Sequence, residues 1–206
     1  VERATAADPQ DLPKQQAAVA YWLSKKYRVA PEPISALVAE AYNIGMHSKL
    51  DPTLILAVMA IESGFNPFAQ SPVGAQGLMQ VMTKVHNDKY EAFGGNLAAF
   101  DPVTNLRVGV QVLKECIARA GSLEAGLRYY VGAANLEDDG GYAGKVLAEQ
   151  NNLRMVAGGK SVPANVALIS VSAPAPAASA AQQPVVQPAV APAPEAEHPE
   201  QVAYLR

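Results

Sequence analysis

Several features that mark common classes of protein are missing from this sequence. It has a single cysteine, Cys116, so an intrachain disulfide and a metal site built from cysteines are both excluded. Sixteen basic residues against 19 acidic ones leave a net charge of −3, without the positive excess of proteins that bind nucleic acid. No apolar run approaches the ~18 residues of a membrane helix. The histidines lack the spacing of metal ligands and no nucleotide-binding motif is present, so we expect no metal and no cofactor.

One short basic cluster, Lys25-Lys26-Tyr27-Arg28, interrupts this picture. It is too short for a phosphate-binding surface, and it stands at the end of a segment with the spacing of an amphipathic helix. We therefore interpret the cluster as a solvated helix end.

Composition changes sharply near Gly158 and divides the chain into three parts. Residues 1–12 have no helical pattern and are interpreted as an N-terminal arm. Residues 13–158 have the mixed composition of one globular domain. Residues 159–206 contain eight of the 16 prolines, and no charged residue occurs from Ser161 to Pro194. Because proline blocks helix and sheet and alanine buries little surface, we expect a Pro/Ala-rich disordered tail.

The central part has the start and stop signals of helices throughout and no alternating strand pattern. Asp51-Pro52 and Asp101-Pro102 each place an N-cap residue before a proline at the first helical position. Gly121 ends the second of these helices, and Ser122 begins another. Apolar residues recur at helical spacing in three further segments, at about residues 15–27, 33–49 and 142–156. The sequence therefore predicts an all-α domain of six or seven helices.

A single carboxylate closes the most apolar segment of the chain. Residues 54–61 read LILAVMAI, which places this helix at the centre of the core, and Glu62 follows on the face of Ile55, Val58 and Met59. Desolvation by these neighbours and the negative end of the helix dipole both disfavour the carboxylate anion. We therefore expect a raised pKa, which suits a general acid. The alternative is a glutamate whose head group simply reaches solvent.

The loop after Glu62 carries amide and hydroxyl groups of the kind that bind sugars. Together with the acid it closely resembles the signature of the soluble lytic transglycosylase (SLT) domain, a family of lysozyme-like enzymes that cleave bacterial peptidoglycan. The matching residues are Glu62-Ser63, Asn66-Pro67, Ala69, Ser71, Gly74-Ala75 and Gly77-Leu78-Met79-Gln80. Asn105 to Gly109 resembles the N-x-x-x-G helix of the family, and GLRYYVGAAN resembles its AYNAGP motif with Tyr129 at the tyrosine position. The resemblance covers about residues 33–150 and implies a small lysozyme-like helical fold.

Three positions depart from the family pattern. Tyr130 stands where the family usually has asparagine, Ala133 where it usually has proline, and Thr83 where proline is common. Tyr130 is most simply interpreted as a core aromatic residue. The departures leave Glu62 in place.

The resemblance implies a peptidoglycan lytic transglycosylase in which Glu62 alone serves as catalytic acid and base. Such enzymes cut the β-1,4 bond between N-acetylmuramic acid and N-acetylglucosamine and leave a 1,6-anhydro end. The residues that the resemblance assigns to the substrate site are Ser63, Ser71, Met79, Gln80 and Tyr129. Ser63 and Tyr129 would hydrogen-bond near Glu62 or the acetamido group, while Met79 and Gln80 would line the sugar site. The structural alternatives are a helix terminator for Ser63 and core packing for Met79 and Tyr129.

Two other functions stay open at this point. A goose-type-lysozyme-like muramidase would use the same lone glutamate with water, and a non-catalytic peptidoglycan-binding module would keep the fold with an idle acid. In each case the partner is a glycan strand of peptidoglycan, and we expect a monomer in the bacterial periplasm or cell envelope. No signal peptide is recognisable within the given residues, and we expect no membrane span in them.

The Pro/Ala-rich tail suggests one further partner. Small enzymes of this family often serve secretion systems, conjugation machines or flagella, and an extension of this composition would reach or recruit such cell-envelope machinery. The alternative is a passive linker.

Overall fold

The structure is a computed structural model, and it describes residues 7–136 and 138–164. Within these ranges it contains seven α-helices, which confirms the all-α prediction. Their bounds are Lys14–Tyr27 (α1), Pro31–Ser48 (α2), Pro52–Ser63 (α3), Asn87–Glu91 (α4), Pro102–Ala120 (α5), Leu123–Tyr130 (α6) and Tyr142–Ala157 (α7). Two strands, Ala75–Gln76 (β1) and Val81–Met82 (β2), form a small hairpin, and Pro9–Asp11 and Asn96–Phe100 form 3₁₀ turns.

The helix starts predicted from the two Asp-Pro pairs and from Ser122 are confirmed. At α3, Asp51 Oδ1 accepts a hydrogen bond from Thr53 N at 2.8 Å. At α5, Asp101 Oδ1 accepts one from Thr104 N at 2.9 Å, and Ser122 caps α6 in the same way. Each such cap contributes about 1 kcal/mol, because it satisfies an N–H group that the first helical turn leaves without a partner.

Helix α3 lies at the centre of the core. All its residues from Thr53 to Ala60 are buried, and the helix packs between α2 and α7. An apolar helix of this kind is stable only when other elements surround it. Although α3 is apolar, no helix in the part of the chain that the structure describes is long and apolar enough to cross a membrane. Because α3 packs between α2 and α7, its end, where Glu62 lies, is enclosed by neighbouring elements.

The hairpin has no counterpart in the sequence pattern. β1 and β2 pair in antiparallel register, Ala75 with Met82 and Gln76 with Val81. Strands of two residues are too short to show the alternation that predicts a strand. The hairpin is fixed from outside instead, since Gln76 O accepts a hydrogen bond from Asn105 Nδ2 on α5 at 2.9 Å.

Beyond α7 the chain stays on the domain as far as it is described. Val162 and Ala164 are partly buried against the core, and Val162 O accepts a hydrogen bond from Trp22 Nε1 at 2.9 Å. These residues belong to the segment assigned to the tail. The rest of that segment, residues 165–206, lies outside the described residues, as do residues 1–6 of the N-terminal arm. The three-part division of the chain therefore stays a prediction.

Candidate active site

Glu62 lies in the last turn of α3, which ends at Ser63. Gly64 then takes the left-handed conformation with φ of 56°, and Phe65 follows with φ of 67°. A left-handed phenylalanine is strained by about 1–3 kcal/mol, so the surrounding structure must determine this turn. The turn redirects the chain directly after the acid, and Glu62 is left partly buried at the start of the signature loop, residues 64–82.

The Glu62 carboxyl has a tyrosine partner from a distant part of the sequence. The Tyr142 hydroxyl donates a hydrogen bond to Glu62 Oε1 at 2.5 Å. Tyr142 is the first residue of α7 and is buried. In the preceding turn the Asp139 carboxylate accepts hydrogen bonds from the backbone N–H groups of Gly141 and Ala143, both at 2.9 Å. These bonds fix the start of α7 and hence the position of Tyr142.

Burial raises the pKa of Glu62 from its ordinary 4.5 to about 7, while the hydrogen bond from Tyr142 has a smaller, lowering effect. The direction agrees with the expectation from its apolar neighbours. Burial, followed by the charge of Glu62, also raises the pKa of the Tyr142 hydroxyl well above its ordinary value. Tyr142 therefore remains a hydrogen-bond donor, and Glu62 has both of its protonation states accessible near neutral pH.

A second tyrosine, Tyr130, lies close to the acid. It is the last residue of α6, and its hydroxyl donates a hydrogen bond to Met79 O at 2.7 Å. Burial raises the pKa of this hydroxyl well above its ordinary value, and the charge of Glu62 adds to the effect. Tyr130 therefore also has a polar role, because its hydroxyl connects α6 to the signature loop. The family usually has asparagine at this position.

The amide side chains of the signature loop hold its backbone together. Asn66 Oδ1 accepts a hydrogen bond from Phe68 N at 3.0 Å. Gln80 Nε2 donates to the carbonyl oxygens of Ala69 and Gly77, both at 3.0 Å. Because both amides bond within the loop, they keep its shape, and a direct contact of Gln80 with a sugar stays a prediction.

The two serines of the signature also bond to the backbone. Ser71 Oγ accepts a hydrogen bond from Ala75 N at 2.9 Å, which closes the turn before β1. Ser63 Oγ lies 2.8 Å from Leu78 O and 3.1 Å from Met59 O. Ser63 thereby connects the last turn of α3 to the far side of the loop. The substrate contacts assigned to Ser63 and Ser71 stay predictions.

Met79 is anchored from α5 by the two residues of the N-x-x-x-G pattern. Asn105 Oδ1 accepts a hydrogen bond from Met79 N at 2.8 Å. One turn further on, Gly109 leaves room for the Met79 side chain, since a Cβ atom at this position would lie 2.5 Å from the methionine Sδ and 2.6 Å from its Cβ. The side chain of Met79 is fully buried, and its contact with a sugar ring stays a prediction.

Replacing Gly109 with alanine is expected to lower the free energy of unfolding by about 1–3 kcal/mol, because the new methyl group collides with Met79. Gly144 in α7 is a matched control, since a Cβ atom there would meet nothing within 4 Å. Gly144→Ala is therefore expected to raise the stability by about 0.5–1 kcal/mol through its higher helix propensity. Urea unfolding measures both. Equal effects of the two substitutions would contradict the packing of Met79 on α5.

Tyr129 has an environment different from that of Tyr130. It is partly exposed, and the tyrosine whose hydroxyl acts on the pKa of Glu62 by hydrogen bonding is Tyr142. The hydrogen bond of Tyr129 to the substrate acetamido group therefore stays a prediction.

Tyr142 is the residue of this site that the sequence does not single out. It follows Glu62 by 80 residues and shares the buried face of α7 with Val146 and Leu153, so its pattern is that of a core residue. The one available signal is chemical, since a buried tyrosine hydroxyl usually has a hydrogen-bond partner. That signal does not identify the partner.

Glu62 is a lone acid as far as the described residues show. Within residues 7–136 and 138–164, no other carboxyl group contributes to its raised pKa. Asp51 lies at the opposite end of α3, roughly 16 Å away along the helix axis, and is paired with Arg154 at 2.7 Å. Over the same ranges, no group of three or more His, Cys, Asp and Glu residues is arranged to hold a metal ion. The arrangement therefore offers one acid with a tyrosine donor.

A known family shares the part of the chain that carries Glu62, the signature loop and Tyr142. A family model described as the transglycosylase SLT domain matches residues 45–152, more than half of the chain. A transglycosylase of Enterobacteria phage PRD1 is 36% identical over 108 residues, which cover 50% of this chain and 39% of that protein. A membrane-bound lytic murein transglycosylase C of Klebsiella pneumoniae is 39% identical over 70 residues, which cover 31% of this chain and 19% of that protein. The similarity thus spans less than half of each relative, and this chain belongs to the transglycosylase SLT domain family.

Proposed function

We propose that this protein is a peptidoglycan lytic transglycosylase in which Glu62 is the sole catalytic acid and base. The family and the names of the phage and Klebsiella relatives support transglycosylase activity. The observation that carries the mechanism is the Glu62 carboxyl, with a pKa of about 7 and a hydrogen bond from Tyr142. Most glycosidases use two carboxyl groups about 5–10 Å apart. A lone acid that titrates near neutral pH can fill both roles in turn.

In the first step protonated Glu62 donates its proton to the bridging oxygen of the β-1,4 bond between N-acetylmuramic acid and N-acetylglucosamine. The bond from this oxygen to C1 breaks, and its electron pair leaves with the oxygen, which becomes a hydroxyl group of N-acetylglucosamine. The N-acetyl group of the substrate stabilises the positive charge that develops at C1. Glu62 is then a carboxylate that accepts the hydrogen bond from Tyr142.

In the second step the Glu62 carboxylate removes the proton from the C6 hydroxyl of the muramoyl residue. The C6 oxygen attacks C1 and forms the 1,6-anhydro ring, which restores protonated Glu62 without the use of water. The raised pKa of Glu62 helps both steps, since it keeps a proton available for the first and leaves a basic carboxylate for the second.

We further propose that the glycan strand lies along the signature loop next to Glu62. Tyr129, which is partly exposed, would contact the substrate directly. Ser63, Ser71 and Gln80 would act through the backbone that they hold in place. Met79 would support the sugar site from below, since its side chain is buried against α5.

The mass of the released products tests this proposal. Purified peptidoglycan is incubated with the full chain, and the soluble muropeptides are analysed by mass spectrometry. Anhydro products, lighter by one water molecule than their hydrolysed counterparts, are the expected result, and Glu62→Gln should release none. Reducing-end products of full mass would instead show a muramidase. Binding to peptidoglycan without release by the wild type would show a binding module.

The substrate suggests where the protein acts and with what. We propose that it acts in the bacterial cell envelope, on the periplasmic side, as a monomer without a cofactor. The Pro/Ala-rich segment from residue 159 onward would connect it to cell-envelope machinery. If deletion of residues 165–206 changes neither the localisation nor the activity in cells, that connecting role is wrong.

A further inference from the structure

The end of α1 is partly buried, and the interpretation of its basic cluster as a solvated helix end is wrong for Lys26. The Lys26 side chain is 9% exposed, and its Nζ lies 2.5 Å from Oε2 of Glu149, whose side chain is 6% exposed. Lys26 Nζ also lies 4.7 Å from the centroid of the Trp22 ring. Only Lys25 and Arg28 of the cluster are exposed. A buried ion pair is weak evidence for stability, because desolvation of two charges offsets most of their attraction.

Tyr27, the last residue of α1, contacts two other elements at once. Its hydroxyl donates a hydrogen bond to Glu149 Oε1 on α7 at 2.7 Å. Its ring and the ring of Phe65 pack in a T-shaped arrangement, with centroids 5.2 Å apart and an interplanar angle of 68°. Phe65 is the strained residue just after the end of α3, three positions from Glu62. Tyr27 therefore bridges the helix that carries Tyr142 and the turn that follows the catalytic acid.

Glu149 and Tyr142 lie on the same face of α7. They are seven residues apart, which is two helical turns, and both are buried. Because α7 is a continuous helix between them, a rotation or shift at Glu149 also moves the Tyr142 hydroxyl relative to Glu62. The hydrogen bond of 2.5 Å between Tyr142 and Glu62 tolerates displacements of only a few tenths of an ångström.

We propose that Lys26, Tyr27 and Glu149 form a clasp that positions Tyr142 against Glu62. Helix α1 is then part of the catalytic apparatus, although it precedes the segment 45–152 that the family model matches. The three clasp residues are positioning residues, since none of them touches Glu62. This inference rests on the proposed acid and base role of Glu62.

The clasp acts through position and not through charge. The pKa of Glu62 depends on its burial and on the hydrogen bond from the Tyr142 hydroxyl. A further titratable group near Glu62 is Tyr130 from α6. The groups that face Glu149 are Lys26 and Tyr27 from α1 and Asn152 on its own helix. A change of the Glu62 titration in a clasp variant therefore reports movement of Tyr142.

Tyr27→Phe in the full chain tests the clasp. The phenyl ring keeps its contact with Phe65, but the hydrogen bond to Glu149 is lost. We expect kcat for release from soluble glycan oligomers to fall about 3–10-fold with KM unchanged. We also expect the pKa of Glu62, followed by the carboxyl ¹³C NMR signal, to rise by about 0.5, because the hydrogen bond that lowers it is weakened.

Arg154→Met is the matched control. It removes a second ion pair of α7, the one with Asp51 at 2.7 Å, which lies at the end of α3 remote from Glu62. We expect a reduced Tm with kcat and the Glu62 titration unchanged. Identical Glu62 titrations in the wild type and Tyr27→Phe would overturn the proposal, as would an equal shift in Arg154→Met.

The NMR titration needs no turnover, so it separates this inference from the proposed function. If the wild type releases no muropeptide and Tyr27→Phe still shifts the pKa of Glu62, the transglycosylase assignment fails and the positioning by the clasp stands.

Discussion

Replacing Glu62 with glutamine is expected to abolish muropeptide release and to leave the fold intact. Glutamine has nearly the volume of protonated glutamic acid, and its side-chain oxygen still accepts the hydrogen bond from Tyr142. It neither donates an acidic proton to the glycosidic oxygen nor removes one from the C6 hydroxyl. Because one residue serves both steps, the expected loss is about 10³-fold or more, toward the upper range for an acid–base residue.

The same substitution is expected to stabilise the protein above neutral pH. The pKa of Glu62 is about 7 in the folded protein, against an ordinary value of 4.5. The folded state therefore holds this proton more tightly than the unfolded chain does. The resulting stability is fully present below pH 4.5 and is lost as the pH rises through about 7. Glutamine is neutral at every pH and avoids this loss, which amounts to at most about 3 kcal/mol.

Thermal unfolding of the wild type and Glu62→Gln at about pH 4 and about pH 8 measures this effect. We expect the Tm of Glu62→Gln to exceed that of the wild type by up to about 6–12 °C at the higher pH, and to equal it at the lower pH. Glu91, which is exposed at the end of α4, supplies the control, because Glu91→Gln should change neither Tm nor activity. A pH-independent difference in Tm would contradict the raised pKa of Glu62.

Replacing Tyr142 with phenylalanine is expected to lower kcat about 10–100-fold and to raise the pKa of Glu62 above 7. The Tyr142 hydroxyl stabilises the Glu62 carboxylate, so its loss favours the protonated acid. The first step keeps its proton donor, but the base of the second step is less available and less well oriented. A profile of kcat against pH measures both effects, since each limb that Glu62 sets moves to higher pH. An unchanged profile would contradict the role of Tyr142.

Tyr129→Phe distinguishes the two tyrosines. If Tyr129 binds the acetamido group, as the family resemblance implies, its loss raises KM and leaves the pKa of Glu62 in place. If Tyr129→Phe shifts the pKa of Glu62 as much as Tyr142→Phe does, the hydrogen-bond partners of the acid differ from those in the structure.

The parts of the fold that local chemistry decides were predictable. Asp51 and Asp101 cap the helices that they precede, since a carboxylate and the N–H groups two or three residues later are always close together. The position of Glu62 was predictable in the same way, because helical periodicity alone places it on the apolar face of α3. That position also predicts the direction in which its pKa is shifted. The hairpin β1–β2 was not predictable, since Asn105 on a distant helix fixes it.

The environment of the acid was not predictable in the same way. The basic cluster that ends α1 has the pattern of a solvated helix end, yet the side chain of Lys26 is largely buried and paired with Glu149. Tyr130 and Tyr142 both have the pattern of core residues, yet their hydroxyl groups bond to Met79 O and to Glu62. A pattern shows which face of a helix is buried, but it does not show which polar group lies opposite that face.

The sequence by itself determined that this is a helical domain with one acid at the end of its most apolar helix, followed by a loop with the family signature. These features depend on neighbours within a few turns, for which chain connectivity alone sets the distances. Only the tertiary structure decided that Tyr142, 80 residues away, donates to the acid, and that α1 reaches both α7 and the turn after α3 through Tyr27. Contacts between residues so far apart in sequence depend on how the helices pack. All of these contacts must form together in one close-packed arrangement, which the local sequence does not specify.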